Sequence, residues 1–273
     1  MKNKWIIAFG VCLLSFVFIC SSIDAEIKKK DIIAQYTFDE GTKASDAIDV
    51  SGNGHNGKFL KGASRKPSKF GMGAHFDADK ATQAIWVDDH PDLNVTKKLS
   101  IVAWVKWSKD GIKHAAPLWW PMIVMKASVN AAYLLFLDTG DGVNPNKPSI
   151  AFRMKGPGTV YSEETVTEEI WYHAAGTYDG KAIKIYINGK LSSERPGVGP
   201  IAVTNDVLVI GAAKRGDLRF HGIIDEVGIY NRALTLDEVE ETMKGFAQSV
   251  DSKSKATIVW GMLKSQVQNK LVY

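Results

Sequence analysis

The stretch EIWYHAAGTYDGKAIKIYINGKLSSE, residues 169–194, leaves little choice of local structure. Ile183, Ile185 and Ile187 alternate with Lys184 and Tyr186, the period of a strand with one apolar face. Asp179-Gly180 and Asn188-Gly189 bracket that strand, and each is the dipeptide that type I′ turns favour, because both central residues need positive φ. The same texture recurs along the chain. Ile32, Ala34, Tyr36 and Phe38 alternate, as do Leu99, Ile101, Ala103, Val105 and Trp107, and GAHFDA, QAIWV, AYLLFLD, SIAFRMK and DVLVIG read as further strands. Roughly a dozen strands and one short helix are too many for a small barrel and suit an all-β, antiparallel two-sheet jelly-roll sandwich.

The last strand, in FHGIIDEVGIYNRAL at 220–234, carries a conflict. Simple alternation puts Ile223, Val227 and Ile229 on one face with Asp225 between them, and sends the adjacent Asp225 and Glu226 to opposite faces. A bare buried charge is costly, so Asp225 must be solvated, paired with a cation such as Arg232 or a lysine, or bound to a metal. Thr235 followed by Glu238 is a capping box that starts a short helix.

The N-terminus, with Lys2, Lys4, an apolar run from Trp5 to Cys20 and small residues to Ala25, has the layout of a signal peptide over 1–25. A secreted, periplasmic or cell-surface chain follows, with no membrane span once the signal is removed. Cys12 and Cys20 both lie in that segment, so the mature chain has no disulfide to lean on. Loss of Lys2, Lys4 and Asp24 changes the formal charge from +4 to +3, with no basic block interleaved with aromatics, which argues against nucleic acid. Residues 246–273 read as a polar linker and a short amphipathic tail, with Trp260, Leu263, Val267 and Leu271 at helical spacing.

YTFDEG at 36–41, DVSGNGHNGKF at 49–59, FGMGAHFD at 70–77, LSIVAWVKW at 99–107, WYHAAGTYDGKAIKIYINGK at 171–190 and FHGIIDEVGIYNRALTLDEV at 220–239 together resemble the laminin-G-like, concanavalin A-like jelly-roll domains of bacterial secreted proteins. The resemblance covers 32–245. It implies a carbohydrate-binding or adhesive module, often with calcium joining the end of the first strand to the last. The chain departs from the pattern in lacking a disulfide that some relatives carry and a second domain.

Resemblance and chemistry converge on Asp39, Asn53, Asn56 and Asp225 as ligands of a structural Ca2+, an ion that takes about 6–8 oxygens from carboxylates, amides and main-chain carbonyls. The alternative is that Asp39 and Asp49 cap turns and Asp225 sits in an ion pair. Trp119 and Trp120, with His114 nearby, are the candidate ligand-binding residues, since an indole on a loop can stack on a sugar ring. Trp86, Trp104 and Trp171 read as core residues within strands, and His173 and His221 as satisfied strand residues rather than ligands. No alternating carboxylate pair and no G-x-S-x-G elbow is present, so no enzyme is expected. The expected function is a secreted, calcium-stabilised module that binds an extracellular glycan. The alternative is an adhesive or structural surface protein that engages a protein partner through its loops or tail.

Overall fold

The computed structural model of the chain describes residues 26–40, 45–78, 83–108, 120–126, 132–139 and 147–246. The expected signal segment, the tail beyond Phe246, His114 and Trp119 lie outside the described residues. Sixteen strands are described: β1 (Ile32–Tyr36), β2 (Asp46–Ala47), β3 (Gly57–Leu60), β4 (Ser64–Pro67), β5 (Met72–Phe76), β6 (Ala84–Val87), β7 (Leu99–Trp107), β8 (Met122–Lys126), β9 (Tyr133–Asp138), β10 (Ser149–Met154), β11 (Gly158–Tyr161), β12 (Tyr172–Tyr178), β13 (Ala182–Ile187), β14 (Lys190–Pro196), β15 (Leu208–Ile210) and β16 (Gly222–Tyr230). One helix, α1 (Leu236–Thr242), follows. The first sheet runs β14-β13-β12-β7-β16-β5-β4 with β1 also on β16, and the second runs β11-β10-β9-β8-β15-β6-β3-β2. Every pairing is antiparallel, as a jelly-roll sandwich requires.

Alternation fills the space between the sheets. Leu99, Ile101, Ala103, Val105 and Trp107 enter one core with Ile183, Ile185 and Ile187 from β13 and with Leu135, Leu137, Ile150 and Phe152 from the opposite sheet. In β1 the expected face holds for Ala34, Tyr36 and Phe38, but a register shift between Ile32 and Ala34 sends Ile33 inward instead of Ile32. The Asn188-Gly189 turn has both φ angles positive, +50° and +77°, as type I′ demands. At Asp179-Gly180 only the glycine does, with φ +97°. There the Asp179 carboxylate accepts from the N–H groups of Lys181 and Ala182, both at 2.8 Å, so a side chain shapes the turn that the sequence reading gave to the backbone.

Of the three tryptophans expected as core residues within strands, only Trp86 and Trp104 lie in strands, and neither enters the core between the sheets. Trp104 is buried on the outer face of the first sheet, edge-on to Phe70 and His173 at centroid distances of 6.2 and 5.4 Å. Trp86 is half-buried against Val209 and Ala212 on the second sheet, and Trp171 lies outside the strands with the Lys106 ammonium 5.9 Å from its ring. Val239 and Phe246 cover the outer face of the first sheet around Val102, Ala175 and Tyr230. The capping box is formed at both bonds, Thr235 Oγ1 accepting from Glu238 N–H and Glu238 Oε2 accepting from Thr235 N–H at 2.8 Å. Arg232 pairs with Asp31 at 2.8 Å and Glu238 at 2.5 Å, and is therefore committed away from Asp225.

Candidate functional site

β16 changes partner part-way along. Gly222 to Ile224 pair with β5, Val227 to Tyr230 pair with β1, and the register against β7 shifts between Asp225 and Gly228. Glu226 takes φ +50°, a conformation that side chains other than glycine adopt at a cost. The bulge changes the parity of the strand. Ile224, Val227 and Ile229 face the core, whereas Asp225 lies on the opposite face from Val227 and Ile229. The expectation that Asp225 shares the apolar row is overturned, and so is the assignment of Asp225 and Glu226 to opposite faces: Asp225 accepts from Phe70 N–H and Glu226 from Phe246 N–H, and both phenylalanines pack on the outer face of the first sheet.

Asp39 arrives at this bulge because it follows β1, whose end lies beside Val227. Both aspartates then hold the turn between β4 and β5. Asp225 Oδ2 accepts from Ser68 Oγ at 2.7 Å and Phe70 N–H at 3.0 Å, and Asp225 Oδ1 accepts from Glu226 N–H at 2.8 Å. Asp39 Oδ1 accepts from Met72 N–H at 2.7 Å. Glu226 Oε2 accepts from Phe246 N–H. Burial is the main reason that Asp225 is pushed up from 3.8 to about 6 and Glu226 from 4.5 to about 8, and neighbouring carboxylates push each further. The three donors to Asp225 are all neutral, so what this side chain lacks is positive charge.

Asn53 and Asn56 are not brought to that bulge. Asn53 Nδ2 donates to the carbonyls of Ile32 and Ile33 at 2.8 and 2.9 Å, at the far end of β1, and Asn56 Oδ1 accepts from Asp49 N–H at 2.9 Å. Asp49 is the organiser of this loop. It accepts from the N–H groups of Gln35, Ser51 and His55, each at 3.0 Å, which is the turn-capping role that the sequence left open.

Of the candidate ligand-binding residues, Trp120 is described. It is half-buried on the outer face of the second sheet, edge-on to Phe136 at 5.9 Å, and Phe136 is edge-on to Tyr161 at 6.1 Å. Met122, Met125, Leu134 and Leu218 surround this aromatic row. Asp138 and Ser149, paired in register, carry polar groups to the same face by alternation with Leu137 and Ile150, which point inward. Burial raises the Tyr161 phenol, and Asp138 raises it further. Trp120 Nε1 and Ser149 Oγ are buried with no hydrogen-bond partner among the described residues.

His173 is buried, with its Nε2 3.2 Å from Thr242 Oγ1, and desolvation lowers it to about 3, so it is a neutral structural residue. His221 Nδ1 accepts from Ala78 N–H at 3.0 Å. Neither is a ligand, as the sequence reading has it, but His173 Nδ1 is buried with no hydrogen-bond partner among the described residues and His221 immediately precedes the last strand. Two other histidines depart from that reading: His55 and His90 meet beside Asp92, a juxtaposition that their separation in sequence hides.

The family model for the concanavalin A-like lectin/glucanases superfamily (Laminin_G_3) matches residues 79–240. No curated protein matches the chain. Among solved structures, domain 4 of an extracellular arabinanase from Geobacillus stearothermophilus, in complex with arabinotriose, is similar with a TM-score of 0.59 at 20% identity, covering 78% of this chain and 98% of that one. The binding domain of Paraclostridial Mosquitocidal Protein 1 gives 0.59 at 17% identity, covering 78% and 52%. The ligand-binding domain of botulinum neurotoxin serotype D, in complex with N-acetylneuraminic acid, gives 0.56 at 14% identity, covering 79% and 51%. The chain thus spans about half the length of the two toxin fragments. At these identities the likeness is one of fold.

Proposed function

Given that the chain belongs to the concanavalin A-like lectin/glucanase superfamily, we propose that it is a secreted, non-catalytic module that binds an extracellular glycan through the outer face of its second sheet. The aromatic row Trp120, Phe136 and Tyr161, with the unsatisfied Trp120 Nε1 and Ser149 Oγ beside it, is the observation that carries this reading. The half-buried Trp120 and Tyr161, braced by the buried Phe136 between them, can offer ring surface to the C–H side of a sugar. Two of the similar structures hold an arabino-oligosaccharide and a sialic acid, which names the first probes.

Structural calcium belongs to the same proposal. Asp39 and Asp225 would hold it, with main-chain carbonyls of the 68–72 turn completing the oxygen shell. The fit rests on a buried Asp225 with neutral donors alone, raised in pKa partly by Asp39. Asn53 and Asn56 are spent on shaping their own loop and fall outside this set. The ion supplies charge compensation and a tie between the first strand and the last. The chain's own residues do the rest: Ser68, Phe70 and Met72 orient the two carboxylates.

A glycan array probed with the chain, including arabinotriose and N-acetylneuraminic-acid-terminated glycans, tests the function. Saturable binding that Trp120→Ala weakens supports it. Binding to no glycan, or reducing-sugar release from polysaccharides that Glu226→Gln abolishes, overturns it.

A further inference from the structure

We propose that His55, His90 and Asp92 form a binding site for a borderline divalent transition-metal ion, zinc foremost, separate from the Asp39 and Asp225 locality. β3 and β6 are antiparallel neighbours with Gly57 opposite Val87, so the loop before β3 and the turn after β6 emerge side by side. His55 lies in the first and His90-Pro91-Asp92 in the second. Among the described residues this is the one group of three His, Cys, Asp or Glu whose ligating atoms all lie within 4.8 Å of one another.

The geometry is close to what zinc needs. Asp92 Oδ2 is 3.3 Å from His90 Nδ1 and 3.6 Å from His55 Nε2. Bonds of about 2.0–2.2 Å at a tetrahedral ion place neighbouring ligand atoms roughly 3.3 Å apart, so the two pairs with Asp92 need movements of a few tenths of an ångström, and the two imidazoles start within 4.8 Å of each other. His90 Nδ1 accepts from Asp92 N–H at 3.3 Å, a long bond that an ion taking the same lone pair would replace. His55 is 5% exposed and its Nε2 has no hydrogen-bond partner, although it is aimed at Asp92. A proton bridges two of these atoms at a time, whereas a metal ion engages all three.

Both arms of the site are held in place before any ion arrives. The His55 main chain donates to Asp49 Oδ2 at 3.0 Å and accepts from the Tyr36 hydroxyl at 2.6 Å. The turn that carries His90 is fixed by Asp89, which accepts from the buried Lys126 ammonium at 2.5 Å and from Asn94 Nδ2 at 3.3 Å. His90 and Asp92 have side chains 51% and 60% exposed, which gives an ion its way in and leaves a fourth position to water. Two imidazoles and one carboxylate select zinc, copper or nickel over calcium and magnesium, which prefer oxygen alone. The bound ion would clamp the 49–56 loop to the edge of the second sheet.

The test uses the full, tag-free chain with Cys12 and Cys20 alkylated, stripped with chelator and titrated with zinc chloride by calorimetry in the presence of millimolar calcium. One zinc per chain is expected, with a chelator-reversible rise in the thermal midpoint. The solvent-facing variants His90→Ala and Asp92→Ala should each weaken binding at least about tenfold, the effect that loss of even an outer-shell partner has on a metal site. No uptake by the wild-type chain overturns the proposal. So does uptake that both variants retain, since that places the ion elsewhere.

Discussion

Asp39 and Asp225 grip one turn from two sides, the first accepting from Met72 N–H at 2.7 Å and the second from Phe70 N–H at 3.0 Å. One residue follows the first strand and the other lies in the last, so the ends of the sandwich meet over Phe70, Gly71 and Met72. Gly71 has φ +55°, and a Cβ there would sit 2.1 Å from Asp39 Oδ1, so the turn closes on the carboxylate only with glycine. The contact places like charges together in a buried bulge.

The first prediction concerns pH in the absence of metal. Asp225 rises from 3.8 to about 6 and Glu226 from 4.5 to about 8 on folding, so between these values the folded chain holds more protons than the unfolded one. Stability then falls as pH rises. The contribution is fully present below about pH 4, near the unfolded values, and is lost as the pH passes through 6 and then 8. Thermal scans in chelator should show the contribution of this site decreasing from pH 5 to pH 8.5. Comparing wild type with Asp225→Asn over the same pH series separates this site from other titrations, and the midpoint of the variant should fall less between about pH 4 and 6.

Calcium should reverse that loss. Extracellular modules bind the ion at about 10⁻⁴ to 10⁻³ M, and a tenfold excess over Kd stabilises by about 1.4 kcal/mol. In a domain of this size the midpoint moves by roughly 2 to 4 °C per kcal/mol. Asp225→Ala should abolish the calcium-dependent shift. Identical wild-type midpoints in chelator and in millimolar calcium would remove the ion from this bulge.

Trp120 separates packing from recognition. Its edge-on contact with Phe136 is worth part of the about 1–2 kcal/mol that Trp120→Ala should cost in denaturant unfolding. Trp120→Phe keeps an aromatic contact but removes the indole N–H. We expect it to restore most of the stability while glycan affinity stays reduced. Wild-type affinity in both variants would move the subsite off this row.

The strands were legible because alternation is a local property: five residues of β7 and three of β13 face the core as their spacing dictates. The bulge was not, because a single inserted residue flips the parity of everything after it, and nothing in IIDEVGIY marks Glu226 as the residue that takes positive φ. Asp39 and Asp225 could be paired from the family resemblance, whereas Asn53 and Asn56 could not be separated from them. A Gly-rich loop rich in oxygen donors looks the same in sequence whether it holds an ion or, as with Asp49, its own amides. His55 and His90 come together through the β3 and β6 pairing, and strand register across a sheet leaves no spacing signal in the chain. The half-buried Trp120 was picked for its place on a loop, and of the partners that give it meaning Phe136 lies on a strand that read as ordinary core, whereas the short strand of Tyr161 carried no alternation to mark it.

Glu226 offers the sharpest check on the bulge. Its side chain is buried, its Oε2 accepts from Phe246 N–H, and burial together with Asp225 and Asp39 raises it to about 8. At neutral pH the folded chain therefore holds it mostly protonated, and Glu226→Gln is a neutral replacement of nearly the same shape that can still accept from Phe246 through its amide oxygen. The variant should match wild type below about pH 4, where the carboxyl is neutral in both the folded and the unfolded chain. Above pH 8 it should be the more stable of the two in chelator, because wild type must there either bury the charge or disrupt the bulge. The gap between the two midpoints should open as the pH rises through 4.5, where the unfolded carboxyl ionises, and level off above about 8, where the folded one does. A constant offset at every pH would mean that Glu226 ionises as freely in the fold as out of it, and that its carboxylate reaches water rather than the cluster around Asp225.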